Sequence, residues 1–138
     1  MADQRHVIDH IGVGVRDYDE SRSFYQRALG PLGMELVAEI DADNRAAGFG
    51  RASRDDFWIH EGRPLGRVHL AFAADSSEQV DGFHAAALEA GGRDNGAPGL
   101  RPEYSDTYYA AYVLDPNGNN IEAVFHGTAP DHKGTAPR

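Results

Sequence analysis

IDHIGVGVRDYDESRSFYQRALGPLG, residues 8–33, is repeated in outline by RVHLAFAADSSEQVDGFHAAALEAGG, residues 67–92. Set against each other without a gap, His10 meets His69, 59 positions further on (69 − 10). At the same offset Asp17 meets Ser76, Glu20 meets Gln79, Phe24 meets Phe83, Ala28 meets Ala87, Leu29 meets Leu88 and Gly33 meets Gly92. Two of these pairs carry a mechanism. Asp17…Glu20 and Ser76…Gln79 are both capping boxes, an N-cap oxygen followed three residues later by a carboxyl or an amide. Each half therefore starts a helix at the same point after its strand, and this duplication decides the fold.

Working outward, residues 7–15 are expected to form a strand and 18–29 a helix, with Ser21, Phe24, Tyr25, Ala28 and Leu29 on one face. Gly30-Pro31-Leu32-Gly33 ends that helix. Strands are expected near 34–40, 45–51 and 56–61. The second half opens with a strand at 67–74 and a helix at about 77–90 that ends at Gly91-Gly92. The segment 93–106 is rich in Gly and Pro and reads mostly as loop, with at most a short strand at its start. Strands at 107–114 and 119–126 are joined by Asp115-Pro116-Asn117-Gly118, a hairpin signal. Both halves thus read β-α-β-β-β, an α+β arrangement. The tail GTAPDHKGTAPR, 127–138, has no apolar periodicity and is expected to be disordered.

A chain of 138 residues suggests one domain, 1–138, made of repeats at about 6–62 and 66–126. No apolar run approaches the roughly 20 residues that span a bilayer, and MADQRHV lacks the layout of a signal peptide. There is no cysteine, hence no disulfide framework and no thiolate chemistry. A cytoplasmic location is the expectation. The net charge is −9 with no basic cluster, which argues against nucleic acid and anionic membrane as partners.

His10 raises the functional question, because an imidazole sits in the middle of a β-branched run. Strand side chains alternate between faces. Val7, Ile11, Val13 and Val15 form one set, and Ile8, His10, Gly12 and Gly14 the other. In the matching strand Val68, Leu70 and Phe72 oppose His69, Ala71 and Ala73. The bulky sets are expected beneath the helices. The other face then carries a histidine followed by small residues, a hollow that close packing does not leave in a core. It suits a ligand or a histidine that faces solvent.

NNIEAVFH, 119–126, adds Glu122 on a largely apolar strand. A buried carboxylate is costly unless it is paired or binds a metal. Two neutral imidazoles and one carboxylate suit a divalent transition metal, with Zn, Ni, Fe, Mn and Co all open. Aligning the final strands of the halves sets Trp58-Ile59-His60 against Asn120-Ile121-Glu122, which makes His60 a fourth candidate ligand. The plain alternatives stand beside these: a hydrogen-bonded strand histidine at His10 or His69, an arginine partner for Glu122, an exposed strand end at His60.

At IDHIGVGVRDYDESRSFYQRALG, VHLAFAADSSEQVDGFHAAAL and LDPNGNNIEAVFH the sequence resembles the vicinal oxygen chelate superfamily, over about residues 6 to 126. That superfamily includes glyoxalase I, extradiol dioxygenases, fosfomycin-modifying enzymes and bleomycin-resistance proteins. The resemblance implies two βαβββ modules whose sheets curl around a shared metal or ligand cup, and a homodimer. It places His10, His69 and Glu122 where the family's motifs put metal ligands. His60 stands where typical glyoxalase I sequences have a glutamate, a departure from that enzyme.

Further candidates surround this set. Glu122 and His60 are the candidate bases. One of Tyr108 and Tyr109 is expected to face the cup, where its phenol would orient substrate; packing or rim exposure is the alternative. Arg101 suits an anionic group or an exposed salt bridge. Trp58 shares a strand face with His60, as a cup wall or as core. The leading expectation is a metal-dependent enzyme acting on a small oxygenated molecule, of lyase/isomerase, dioxygenase or thiol-transferase type. The alternatives are a metal-free protein that sequesters a hydrophobic or aromatic antibiotic, and a module that works through a partner. No P-loop, G-x-G-x-x-G or G-x-S-x-G motif is present.

Overall fold

The computed structural model describes residues 9–62 and 66–127. The expected strand start at 7–8 and the tail from 128 lie outside the described residues. Both halves of the repeat fold as β-α-β-β-β. The first module comprises β1 (Ile11–Val15), α1 (Tyr18–Leu29), β2 (Glu35–Ile40), β3 (Ala46–Gly50) and β4 (Phe57–Glu61). The second comprises β5 (His69–Ala73), α2 (Ser77–Glu89), β6 (Arg93–Leu100), β7 (Tyr108–Leu114) and β8 (Asn120–His126).

Both expected caps form. Asp17 Oδ1 accepts the Glu20 N–H at 3.0 Å, and Ser76 Oγ accepts the Gln79 N–H at 3.2 Å. Gln79 Oε1 reaches back to the Asp75 N–H at 2.7 Å. Satisfying these donors starts each helix at the point the repeat specifies. The equivalent residues Phe24 and Phe83, and Ala28 and Ala87, are all fully buried.

Each module makes one four-stranded sheet, in the orders β1-β4-β3-β2 and β5-β8-β7-β6. The first strand of each module runs parallel to its last, and the other neighbours are antiparallel. The sheets stay separate, so the strands of one chain do not close into one continuous curved sheet. Val13 and Val15 are buried towards the helices as the alternation predicts, with Leu70 and Phe72 packed against the same core. The core runs from module to module through aromatic edges: Tyr25 on Phe57 at 4.8 Å and Phe57 on Phe72 at 5.2 Å. Among the described residues no helix is long and apolar enough to cross a membrane.

The segment read mostly as loop contains an eight-residue strand, β6. Its Gly and Pro residues do not prevent pairing, because β6 is an edge strand and its register with β7 slips between Asp94 and Gly96 and again between Gly96 and Gly99. Pro98 sits in the second slip, where no ladder bond is needed from it.

The hairpin turn at 115–118 also joins the modules. Buried Asp115 accepts from the backbone N–H of Asn117 (2.9 Å) and Asn119 (2.8 Å), from Asn119 Nδ2 (2.9 Å) and from the Tyr25 phenol of α1 (2.5 Å). Asn117 accepts from the Arg16 N–H at 3.1 Å and donates to Ser21 Oγ at 3.2 Å. Burial, then the adjacent Asp115 charge, pushes the Tyr25 phenol well above its usual pKa, so it stays a donor.

Candidate metal centre

Glu122 is 1% exposed on β8, with Ala71 of β5 on one side and Tyr112 of β7 on the other. Its two oxygens have different neighbours. Oε2 accepts the Tyr108 hydroxyl at 2.5 Å. Oε1 lies 3.0 Å from His69 Nε2. The other ring nitrogen, Nδ1, is 2.9 Å from the Asn120 carbonyl. A carbonyl only accepts, so Nδ1 carries a proton and donates. In a neutral imidazole the Nε2 lone pair then faces a carboxylate oxygen. Two electron-rich atoms at that distance need a proton or a cation between them. An imidazole nitrogen and a carboxylate oxygen are both donor types that a divalent transition metal takes. The donor types fit one divalent ion.

The rest of this face is aromatic. The Tyr112 ring stacks on His69 at 6.4 Å, Tyr104 lies against Tyr108 at 5.0 Å, and His126 meets Tyr108 edge-on at 5.1 Å. Burial, then the hydrogen bond to Glu122, pushes the Tyr108 phenol above its usual range, so it donates throughout neutral pH. Of the two tyrosines weighed, Tyr108 faces Glu122. Tyr109 points to the helix layer, where its hydroxyl donates to Asp81 Oδ1 at 2.7 Å. Tyr112 is a site residue the sequence reading missed. Its signal was present, since it lies four residues from Tyr108 on one strand and so shares its face.

The first module offers a second open face. The His60 ring lies over Gly12, where a Cβ would come within 2.5 Å of Nε2. Trp58 stacks beside His60 at 6.4 Å and covers Gly48. The hollow expected beside His10 is thus filled at Gly12 by His60. His60 itself is exposed and borders a cleft of about 530 Å³ with Gly14 and Arg67. His10 precedes β1; its Nδ1 is 2.9 Å from Asp9 Oδ2, and it borders another cleft, of about 330 Å³, with Met34, Phe57 and Phe72. Among the described residues of one chain, no three His, Asp or Glu side chains converge. The structure brings His69 and Glu122 together and leaves His10 and His60 apart from them.

Two βαβββ modules, each with an open face of imidazole, aromatic and small residues, define a paired-module α+β class. Residues 7–123 match the Glyoxalase/Bleomycin resistance protein/Dioxygenase superfamily, and the chain belongs to it. It is similar to a glyoxalase/bleomycin resistance protein from Albidiferax ferrireducens T118, with 34% identity, a TM-score of 0.74, and coverage of 87% of this chain and 99% of that one. The E144Q glyoxalase I mutant from Zea mays shares the fold at 22% identity and a TM-score of 0.65, over 84% of this chain and 45% of that one. Hypothetical protein SA1046 from S. aureus shares it at 20% identity and a TM-score of 0.63, over 84% and 94%. Among curated proteins none matches.

Proposed function

We propose that the chain is a metal-dependent enzyme of the glyoxalase I/dioxygenase-like type, acting on a small oxygenated substrate as a cytoplasmic homodimer. The observation that carries the reading is the His69–Glu122 pair, two unlike donors 3.0 Å apart with no proton assigned between them once Asn120 has claimed Nδ1. His69 and Glu122 would hold a divalent ion from the second module, and His10 and His60 would supply the first module's ligands. Their separation within one chain supports a site completed by a second copy, with one protomer's first module facing its partner's second module.

When bound, the ion would act as a Lewis acid for two neighbouring substrate oxygens. The chain's own residues do the rest. Tyr108 holds Glu122 Oε2, so that Oε1 stays directed at His69. Asn120 fixes the imidazole tautomer. Tyr108 and Tyr112 wall the second-module face, and Trp58 the first. Glu122 or His60 would accept a substrate proton.

Mixing two defective chains tests the shared site. One carries His10→Ala and His60→Ala, the other His69→Ala and Glu122→Gln. A mixed dimer then rebuilds one intact site, so metal binding should return to half of the chains' wild-type capacity, with turnover in a screen that includes the methylglyoxal–glutathione adduct and catechols. No recovery in demonstrably mixed dimers contradicts a site shared between chains. A metal-free hydrophobic-ligand binder is the second reading, favoured by the cleft of about 330 Å³ that His10 borders, whose lining includes Met34, Phe57, Leu70 and Phe72 beside the charged Arg51, Arg54 and Asp56.

A further inference from the structure

We propose that Arg101 is the anion-binding residue of the second-module face, and hence that the substrate carries a carboxylate, phosphonate or phosphate group besides the oxygens directed at the metal. This rests on the reading of that face as the substrate site.

Arg101 is anchored at the end of β6, where its backbone N–H donates to the Tyr108 carbonyl at 2.8 Å. The side chain folds back along the strand. Nη2 donates to the Ala97 carbonyl at 2.7 Å and Nη1 to the Leu100 carbonyl at 3.5 Å, and the guanidinium lies over the Tyr112 ring at 5.3 Å. Two glycines leave it this room. A Cβ at Gly96 would sit 3.3 Å from Nη2, and one at Gly99 would sit 3.2 Å from Nη1. Positive φ at Gly96 (+152°) bends the strand there and further disfavours a larger residue.

The guanidinium is held in place but underused. Of its five N–H groups, two are occupied by backbone carbonyls. The remaining N–H groups have no acceptor, and the charge has no carboxylate partner, among the described residues. Arg22 pairs with Glu39, Arg45 with Asp19 and Glu61, Arg51 with Asp75, and Arg54 with Asp56; what sets Arg101 apart is that its guanidinium is held over Tyr112, the ring that stacks on His69. The carboxylate of that face, Glu122, is already engaged by Tyr108 and His69. Tyr112 connects the two positions, because it touches the guanidinium on one side of the site, stacks on His69 and pairs across the ladder with Glu122. One small molecule can therefore present an oxyanion to Arg101 and its vicinal oxygens to the His69–Glu122 end. A planar fork with free donors suits an oxyanion better than any neutral group.

The test uses metal-free protein, so that the metal does not itself bind the probe. Phenylphosphonate and its neutral counterpart benzamide are titrated while the arginine Nε–H resonances are followed by NMR. Arg101 is assigned from the spectrum of Arg101→Lys. Phenylphosphonate should shift the Arg101 resonance and bind at least ~10-fold more tightly than benzamide, the usual advantage of charge-assisted hydrogen bonds. Arg101→Gln should lose that preference while its benzamide affinity stays within about 2-fold, and Arg101→Lys should keep part of it. Equal affinity for the two probes, an unmoved Arg101 resonance, or an undiminished preference in a folded Arg101→Gln protein overturns the proposal. A separate zinc titration tests the metal reading. If zinc binds and phenylphosphonate ignores Arg101, only the anion site falls. If phenylphosphonate behaves as expected and zinc does not bind, only the metal reading falls.

Discussion

Replacing Tyr108 by phenylalanine removes one oxygen and keeps the ring against Tyr104 and His126. Its effect follows from the accounts of the two oxygens of Glu122. The carboxylate is 1% exposed, and the Tyr108 hydroxyl is the hydrogen-bond donor to Oε2. A hydrogen bond to a charged group is worth about 1.5–3 kcal/mol. Tyr108 is only half-buried, so water can partly replace the lost hydroxyl, and the low end applies, about 1.5–2 kcal/mol. For a chain of this size that corresponds to a fall in melting temperature of roughly 5–8 °C in the metal-free protein. A second effect separates a positioning role from mere packing. Without the phenol, Glu122 can rotate and Oε1 is no longer directed at His69, so metal affinity should fall about 10–100-fold, as for other groups that orient a ligand. Urea denaturation of the metal-free variant reads the first quantity, and zinc titration of the folded variant reads the second. Unchanged stability with unchanged zinc affinity would refute the argument. Lost stability with zinc affinity within 2-fold would leave the phenol a packing role alone.

Three other predictions concern other parts of the molecule. Stability should fall as pH rises from about 10, because Tyr18 (pushed up to about 12, mainly by burial) and Tyr25 stay protonated when folded but ionise near 10 when unfolded, so the unfolded state binds fewer protons; urea melts should show this loss, and Tyr25→Phe should flatten the pH dependence. With one lysine and no cysteine in the chain, tyrosines dominate titration in that range. Asp115→Ala strands the Tyr25 phenol, Asn119 Nδ2 and two backbone N–H groups, and should cost about 3–5 kcal/mol in the same assay. Gly12→Ala would place a Cβ 2.5 Å from His60 Nε2; the exposed ring can swing away, so zinc titration should show a drop in affinity while the melting temperature changes little.

The fold was legible because its signals are local and occur twice. The caps at Asp17 and Ser76, the helix stops at Gly30–Gly33 and Gly91-Gly92, and the Asp115–Gly118 turn each act within a few residues. β6 was obscured because Gly96, Pro98 and Gly99 are compatible with a strand only at an edge and across register slips, which depend on β7. Alternation put His69 on the small-residue face of its strand and Glu122 on a largely apolar strand but could not show that they meet, since that requires the pairing of β5 with β8. The link from Tyr25 to Asp115, 90 residues apart, left no local trace. The separation of His10 and His60 from the Glu122 pair is equally non-local, because it follows from how the two sheets sit around the shared helical core. His60 over Gly12 depends on the parallel pairing of β1 with β4, which no short-range pattern specifies.

The central claim is that the His69–Glu122 pair is part of a metal site. Equilibrium dialysis of zinc at pH 7.5 tests it most directly, on wild-type protein purified without nickel affinity and on Glu122→Gln, which keeps the shape and removes the charge. The account predicts one tightly held zinc per wild-type chain, and a loss of at least ~100-fold in affinity for Glu122→Gln with the fold intact, beyond what removal of an orienting group alone produces. Zinc bound equally well by the two proteins, or not bound by the wild type, would contradict it.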